Sequence, residues 1–266
     1  MQSGMIIAQI SDTHIDLDGP NGPARLSNLE RCVEDINRLE PLPDVVIHTG
    51  DVAQNAKPAE YEAAKRVLGA LRCPLHVAAG NRDDRAAIRA AFPADTYLLP
   101  DAPFVQYRVE TFPVRLIAVD TLSESSNKGD FCRVRADSLR AALAEDTTRP
   151  TMIFMHHPPF VVHESAYPFQ FESWESVERM GRALDGQRHV VGMICGHAHR
   201  NVAGTVGDVP VSSTPSVAVD LRLGRYPVEF QSDPLYKIHR IDAQRGLVSE
   251  IRAARQRSAT PLGRAC

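Results

Sequence analysis

The sequence predicts an α/β protein built on a layered sheet. Three observations support this prediction. Short apolar runs, of the kind found in buried strands, recur from Met5 to Cys195. Segments with helical spacing of their apolar residues separate these runs. Gly and Pro residues fall between the segments, where strands and helices end. An alternation of this kind is typical of layered α/β sheets.

The first elements follow from apolar spacing. Met5–Ile10 is a short apolar run, and after a Gly/Pro loop the apolar residues of 26–39 have the spacing of one helical face. Asp44–Thr49 predicts a second buried strand. Pro58 suits the first position of a helix that continues to Leu71. Leu75–Ala79 predicts a third strand.

The next segment introduces a turn. A shorter helix is predicted after Asp83, and the apolar residues of 104–120 alternate with polar ones but break at Pro113, as two strands joined by a turn would. The remaining elements before residue 200 are a helix at Ala136–Glu145, a strand at Thr151–His156, a helix at Trp174–Leu184 and a strand at Val190–Cys195.

After residue 200 the pattern changes to short strands with Gly and Pro turns, which is typical of β-hairpins. No linker rich in Gly, Ser or Pro precedes this part, so we expect an antiparallel continuation of one domain over residues 1–252 and a mobile tail over 253–266. The predicted strands are Asn201–Val206, Val209–Ser213, Leu235–Ile241 and Leu247–Ile251.

Composition restricts the possible partners. The 266 residues are 43% hydrophobic and 24% charged, with a net charge of −3, so no sequence-wide basic field exists to bind a nucleic acid polymer or an anionic membrane. A small-molecule substrate is expected instead.

The sequence has neither a signal-peptide pattern nor an apolar stretch near the ~18 residues that span a bilayer. Five dispersed cysteines without a C-x-x-C pair suit a reducing environment, so we expect a cytoplasmic protein.

Polar residues follow the ends of five predicted strands. Ligands of open α/β sheets bind beyond the carboxyl ends of strands, where loops carry polar groups without burying them in the core. Five separate strand ends are therefore expected to direct their side chains to one place. The residues concerned are Asp12, His14, Asp51, Asn81, His156, His197 and His199.

These seven side chains offer only oxygen and imidazole nitrogen, which are donors suited to Mn, Fe, Zn or Co. Seven donors exceed the ~4 that one tetrahedral ion accepts, but they serve two ions if a carboxylate bridges them. Asp51 is the natural bridge. Two ions ~3.5 to 4 Å apart can hold a hydroxide, lower its pKa toward ~7 and clamp the oxygens of a displacement at phosphorus. The pattern therefore predicts phosphoester hydrolysis.

The same motifs resemble those of the calcineurin-like metallophosphoesterases. They are DTH at residues 12–14, GD at 50–51, GN at 80–81, HHPP at 156–159 and GHAH at 196–199, within a match over residues 5 to about 216. TGDVAQ at 49–54, GNRDDR at 80–85 and HHPPF at 156–160 look most like the bacterial class III cyclic nucleotide phosphodiesterases. The resemblance implies a four-layer sandwich of two mixed β-sheets flanked by helices, and a possible homo-oligomer.

The resemblance also implies an allocation of ligands to two divalent ions, with Mn, Fe or Zn as the candidates. One ion would be held by Asp12, His14, Asp51 and His199. The other would be held by Asp51, Asn81, His156 and His197. The substrate would be a small phosphodiester, such as a cyclic nucleotide similar to cyclic AMP, cleaved by a hydroxide that bridges the ions.

The main departure from the family pattern is Arg82, where the family usually has His in GNHD. Arg cannot release a proton at working pH, but its fixed charge can grip a non-bridging phosphoryl oxygen. We therefore expect a catalytic role for Arg82 through transition-state electrostatics. Asp83, the second catalytic candidate, is either an orienting residue behind the ligands or a helix N-cap.

Two alternatives remain open. GNRD also resembles the UDP-diacylglucosamine pyrophosphohydrolases, although HHPP and the lack of an apolar, basic insert argue against that activity. Some relatives keep the fold as a non-catalytic scaffold after losing ligands, whereas all seven ligands are present here.

The second histidine of HHPP is not predicted to be a ligand. His157 follows His156 on a presumed strand, so its side chain is expected on the opposite face, in a supporting or packing role. His48 matches no ligand pattern and is expected to be a structural or surface residue.

Overall fold

The computed structural model describes residues 4–242 and 246–255. Eleven strands within these ranges form two mixed sheets, as the resemblance implied. The first sheet has five strands in the spatial order β11–β10–β1–β2–β3. Its strands are β1 (Met5–Ile10), β2 (Val45–His48), β3 (Leu75–Val77), β10 (Leu235–Asp242) and β11 (Gly246–Ala253).

The second sheet has six strands in the order β4–β5–β6–β7–β9–β8. Its central pairs, β5–β6, β6–β7 and β7–β9, are parallel, whereas its edge pairs are antiparallel. The strands are β4 (Tyr107–Val109), β5 (Arg115–Ala118), β6 (Thr151–Phe154), β7 (Val190–Cys195), β8 (Ala203–Val206) and β9 (Val209–Ser213).

Within the described ranges, five α-helices cover the sheets, and each overlaps a helix that the sequence predicted. Their first turns show why they begin where they do: Pro58 opens the second helix, and the hydroxyl of Ser173 accepts a hydrogen bond from the Ser176 N–H at the start of the fifth. The helix that begins at Pro58 ends at Leu68, whereas it was expected to continue to Leu71. The helices are α1 (Gly22–Asn37), α2 (Pro58–Leu68), α3 (Arg85–Ala91), α4 (Arg133–Glu145) and α5 (Trp174–Leu184).

The period-two alternation of β6 divides the core into two parts. Met152 and Phe154 face a cluster that includes residues of β1, β2 and α1, so this side packs against the first sheet. Ile153 faces the other way and joins a cluster with residues of α4 and α5. The layers are therefore helices, sheet, sheet and helices, and the predicted sandwich is confirmed.

The part after residue 200 differs from the prediction in one respect. β8–β9 and β10–β11 are hairpins, as expected. However, β9 also pairs in parallel with β7, and β10 lies beside β1 in the other sheet, so this part is not one antiparallel extension. Two short 3₁₀ helices, at Val219–Leu221 and Val228–Phe230, were not predicted.

The C-terminal prediction is partly outside the described residues. β11 includes Ala253, which was expected to begin the tail. Residues 256–266 lie outside the described part of the chain. Within the described ranges, the structure contains no helix with the length and apolar character needed to cross a bilayer.

Candidate metal centre

The two sheets present the ends of their parallel strands to each other. In the first sheet, β1 and β2 run in parallel, and the Asp12 N–H donates to the Gly50 carbonyl at 3.0 Å just beyond their ends. In the second sheet, the Gly196 N–H donates to the His156 carbonyl at 2.9 Å. These bonds fix the loops that carry the predicted ligands, and all seven predicted ligands meet in one cluster.

Asp12, His14, Asp51 and His199 form the first part of this cluster. Their side-chain donor atoms all lie within 4.8 Å of one another. The Nε2 atoms of His14 and His199 are 3.2 Å apart, and the Nε2 of His199 is 3.3 Å from Oδ1 of Asp12. Asp12 is fully buried, so little solvent screens its charge from the imidazoles.

Asn81, His156 and His197 form the second part. Oδ1 of Asn81 lies 3.0 Å from Nε2 of His156 and 2.8 Å from Nδ1 of His197. The His156 ring is fully buried, and the His197 ring packs 5.1 Å from it. The structure thus places the predicted ligands in two neighbouring groups, and His157 lies beside the second of them. The allocation of ligands to two ions stays a prediction.

Asp51 lies between the two sets. Its Oδ2 is 3.5 Å from Nε2 of His14, and its Oδ1 is 3.5 Å from Nε2 of His156. The backbone N–H of Arg82 donates to Oδ1 at 2.7 Å and holds the carboxylate in this orientation. The two oxygens of one carboxylate therefore face two separate donor sets.

Five of the seven predicted ligands have left-handed backbone conformations. A positive φ is uncommon for any residue except glycine and costs on the order of 1–3 kcal/mol. The surrounding loops therefore impose this conformation and fix the direction of each side chain. The φ values are 54° for Asp12, 45° for His14, 53° for Asp51, 63° for His197 and 53° for His199.

The charges in the cluster stabilise one another. Burial alone would raise the pKa of Asp12, but neighbouring His199 outweighs burial and lowers that pKa to about 2. For His156, burial opposes protonation, yet the Asp51 carboxylate raises its pKa to about 9. The cluster is therefore a place where carboxylates stay ionised and attract positive charge.

Comparison with known proteins identifies the chain. The family model for calcineurin-like phosphoesterases matches residues 5–201. The chain belongs to this family. It is similar to the glycerophosphodiester phosphodiesterase GpdQ of Enterobacter lignolyticus, with 31% identity over 73% of this chain and 71% of the relative.

Two further relatives of this calcineurin-like phosphoesterase carry related names. A probable glycerophosphodiester phosphodiesterase GpdQ of Arcobacter nitrofigilis is 28% identical over 92% of both chains. A probable cyclic nucleotide phosphodiesterase of Rhodopseudomonas palustris is 30% identical over 76% of this chain and 74% of the relative. These relatives are named phosphodiesterases, which confirms the prediction of a phosphoric diester hydrolase.

A solved structure agrees with the fold. Purple acid phosphatase from yellow lupin seeds superposes with a TM-score of 0.64 over 96% of this chain and 52% of that chain. Its sequence identity is 13%, so it supports the architecture alone.

The donor set of this calcineurin-like phosphoesterase fits divalent metal ions. The ring of His156 donates from Nδ1 to the Thr49 carbonyl at 2.8 Å, so loss of its other proton would leave a lone pair on Nε2. This lone pair faces oxygen acceptors on Asn81 and Asp51. A metal ion that displaces the Nε2 proton would bind acceptors that converge in this way. His199 repeats the arrangement, because its Nδ1 donates to the Leu221 carbonyl at 3.0 Å.

The position of His157 differs from the prediction. Its ring does not lie on an opposite face, but packs 4.8 Å from the His156 ring and 4.4 Å from the His197 ring. The strand alternation does not apply here because β6 ends at Phe154. Its Nδ1 pairs with the Thr121 hydroxyl at 2.9 Å and its Nε2 with the Asn127 carbonyl at 3.2 Å. These contacts suit a supporting role, which stays a prediction.

His48 is structural, as expected, but supports the site directly. Its Nε2 pairs with the Thr13 hydroxyl at 3.0 Å, and its Nδ1 accepts the Gly50 N–H at 3.2 Å. His48 therefore links the two loops that follow β1 and β2. Its residue type gave no sign of this role, because the partner hydroxyl is distant in sequence.

Asp83 lies behind the cluster and joins two ligand loops. Its carboxylate accepts backbone N–H groups from Val52 at 3.1 Å, Ala53 at 3.2 Å and Gly80 at 2.9 Å. Burial, helped by the nearby Asp51 charge, raises its pKa to about 7. The N-cap alternative is wrong, because the neighbouring Asp84 accepts the Ala87 N–H of α3.

Substitution of Asp83 therefore tests an orienting role. Asp83→Ala is expected to lower the free energy of unfolding by roughly 2 to 4 kcal/mol, because it leaves buried N–H groups unpaired. It is also expected to weaken metal retention, which urea unfolding and metal analysis would measure together. The matched variant Asp84→Ala removes only an N-cap and should cost about 1 kcal/mol with full metal retention. Equal losses from both variants would contradict the assignment.

Proposed function

We propose that the protein hydrolyses a small phosphodiester, such as a cyclic nucleotide, with two divalent metal ions. One ion would be held by Asp12, His14, Asp51 and His199, and the other by Asp51, Asn81, His156 and His197. The observation that carries this proposal is the position of Asp51, whose two oxygens face the two donor sets separately. Bound ions would supply Lewis acidity toward phosphoryl oxygens and would activate a water molecule.

The residues of the chain contribute orientation and charge. Carbonyl groups of Thr49 and Leu221 fix the rings of His156 and His199 so that each Nε2 faces the cluster. A cleft of about 680 Å³ opens over the cluster, and His14, Asp51, Asn81 and His197 line its floor. A cleft of this size accommodates a small diester.

Arg82 extends into the same cleft. Its side chain is exposed, and its backbone holds Asp51. The guanidinium can bind a non-bridging phosphoryl oxygen with two N–H groups and stabilise the charge that develops at phosphorus. Proton donation to the leaving group from this position is not available, because guanidinium stays protonated. Diesters with stable leaving groups suit this site better than monoesters.

Removal of the guanidinium tests this role. Arg82→Ala is expected to lower kcat about 10²-fold, as loss of one transition-state donor does, while metal content stays unchanged. Steady-state kinetics and metal analysis on the same preparation would measure both. Arg133→Ala removes an 88% exposed arginine side chain on α4 and serves as control. An unchanged kcat in Arg82→Ala would remove Arg82 from the mechanism.

The proposed activity is tested with a substrate panel. Metal-free protein is reconstituted with Mn, Fe or Zn and assayed against cyclic AMP, a 2′,3′-cyclic nucleotide, a glycerophosphodiester, bis(p-nitrophenyl) phosphate and a UDP-lipid. We expect metal-dependent hydrolysis of at least one diester and a lower rate with p-nitrophenyl phosphate, a monoester. Selective cleavage of the UDP-lipid, or no hydrolysis with any ion, would contradict the proposal.

A further inference from the structure

The cleft above the metal cluster has a second wall that the chemistry at phosphorus does not use. Two loops of the second sheet form it together with Leu221 and Leu223. The first loop contributes residues 126–128, and the second contributes Ser165, Tyr167, Phe169 and Gln170. Its apolar and aromatic surface comes from Tyr167, Phe169 and the two leucines, which lie beside polar side chains. The polar side chains are those of Ser126, Asn127, Lys128, Ser165 and Gln170. The floor of the cleft binds charge, whereas this wall offers apolar surface.

The wall is held in place by a network of hydrogen bonds. The Gly129 N–H donates to the Gln170 carbonyl, and the Glu172 N–H donates to the Gly129 carbonyl, each at 2.8 Å. Hydroxyls of Ser123, Ser125 and Ser126 donate to one oxygen of Glu172, at 2.5, 2.6 and 2.9 Å. The two loops therefore form one unit, and His157 connects that unit to the cluster through the Asn127 carbonyl.

The aromatic residues of the wall have different surroundings. Phe169 stacks on Trp174, with ring centroids 4.2 Å apart and an interplanar angle of 27°, and the Lys128 ammonium lies 5.8 Å from the Phe169 centroid. Phe169 is thus held by its neighbours. Tyr167 is 77% exposed, and its backbone, through Ser165 and Gln170, is held within the same loop.

An exposed aromatic ring on a fixed loop is suited to stacking with a planar ligand group. Nucleic-acid bases stack on aromatic side chains because every base has a π-face. We propose that Tyr167 stacks with an aromatic ring in the organic part of the ester, so that the substrate carries a nucleobase or a similar planar group. This inference rests on the proposed function in placing the phosphoryl group at the metal cluster.

Ring binding can be measured without hydrolysis, because Trp174 is the single tryptophan of the chain and stacks on the Phe169 ring of this wall. Metal-loaded protein is titrated with adenosine 5′-monophosphate and with ribose 5-phosphate, which differ only in the base, while Trp174 fluorescence is followed. We expect adenosine 5′-monophosphate to bind about tenfold more tightly. Equal affinities in the wild type would overturn the inference.

Variants of Tyr167 assign the effect to its ring. Tyr167→Ala is expected to bring the affinity for adenosine 5′-monophosphate close to that for ribose 5-phosphate, whose own affinity should not change. Tyr167→Phe keeps the ring and should retain tight binding, whereas Val228→Ala, at a 79% exposed position outside the cleft, should behave as wild type. Loss of the preference in Tyr167→Phe, or its persistence in Tyr167→Ala, would overturn the inference.

An acyl chain is the competing occupant of an apolar wall, so octyl phosphate is titrated in parallel. If octyl phosphate binds more tightly than adenosine 5′-monophosphate, and if Tyr167→Ala abolishes this tighter binding, the group that contacts Tyr167 is an alkyl chain. That result would overturn the inference of an aromatic ring. The two proposals fail separately. Diester hydrolysis without a base preference would overturn the stacking alone, whereas a base preference without hydrolysis would overturn the proposed function alone.

Discussion

Asp51→Asn is expected to lower kcat/KM for a phosphodiester by at least about 10³-fold and to leave fewer than two metal ions bound per chain. The substitution keeps the shape of the side chain but removes the negative charge and replaces one oxygen by an NH₂ group. That group cannot bind a cation, so one of the two donor sets that Asp51 faces loses its shared oxygen. Kinetics and metal analysis of the same preparations measure both effects.

The control for Asp51→Asn is another aspartate beyond the end of β1. Asp18 pairs with Lys57 on the surface, and its side chain is 69% exposed, so Asp18→Asn should retain both ions and full activity. If the Asp51→Asn protein binds two ions and its kcat/KM lies within tenfold of the wild-type value, Asp51 does not bridge the ions.

Gly80→Ala is expected to have the second large effect, although it alters no donor atom. A Cβ atom at this position would lie 2.2 Å from the backbone nitrogen of Asp51 and 2.3 Å from its Oδ1. Contacts this short require the ligand loop to move. We expect activity to fall about 10²-fold, since displacement of a positioning group by about 1 Å costs that much. Metal affinity should fall as well.

A second glycine provides the comparison for Gly80→Ala. Gly181 lies within α5, and a Cβ atom there would lie 3.7 Å from the Val206 side chain, which is an ordinary van der Waals contact. Gly181→Ala should keep full activity and gain up to about 1 kcal/mol of stability from higher helix propensity. Retention of both ions and wild-type kinetics in Gly80→Ala would mean that the close approach of the two loops has no role in metal binding.

The sequence was sufficient to predict the cluster because its chemistry is local to strand ends. Each ligand follows an apolar run, and parallel strands bring such positions to the same edge of a sheet. His157 shows where this reasoning fails. The apolar run before it suggested a strand that included His156, but the strand ends at Phe154, so the side-chain alternation stops before the two histidines.

Long-range pairing could not be predicted from the sequence pattern. β10 pairs with β1 across more than two hundred residues, and β9 pairs in parallel with β7 after a hairpin. Both pairings depend on which face of each strand is buried and in which sheet. Apolar spacing alone does not distinguish between the possible pairings. The resemblance to a known family supplied the two-sheet architecture instead.

The second wall of the cleft also lacked a sequence signal. Residues 165–170 have no periodicity, and their position depends on the backbone bridge between Gly129 and Phe171. Tyr167 and Phe169 therefore become interpretable only when the two loops are seen together. Asp83 was a candidate from its motif, but the choice between an orienting residue and an N-cap needed the structure, since its N–H partners Val52 and Ala53 lie in another loop.

The central claim is that two ions share Asp51, and a manganese titration of the metal-free protein tests it most directly. The number of bound ions is counted by equilibrium dialysis, and electron paramagnetic resonance reports whether their spins interact. We expect two Mn²⁺ per chain with the spectrum of an exchange-coupled pair, and loss of the coupling in Asp51→Asn. A single ion per chain, or two ions without magnetic interaction in the wild type, would contradict the shared-carboxylate centre.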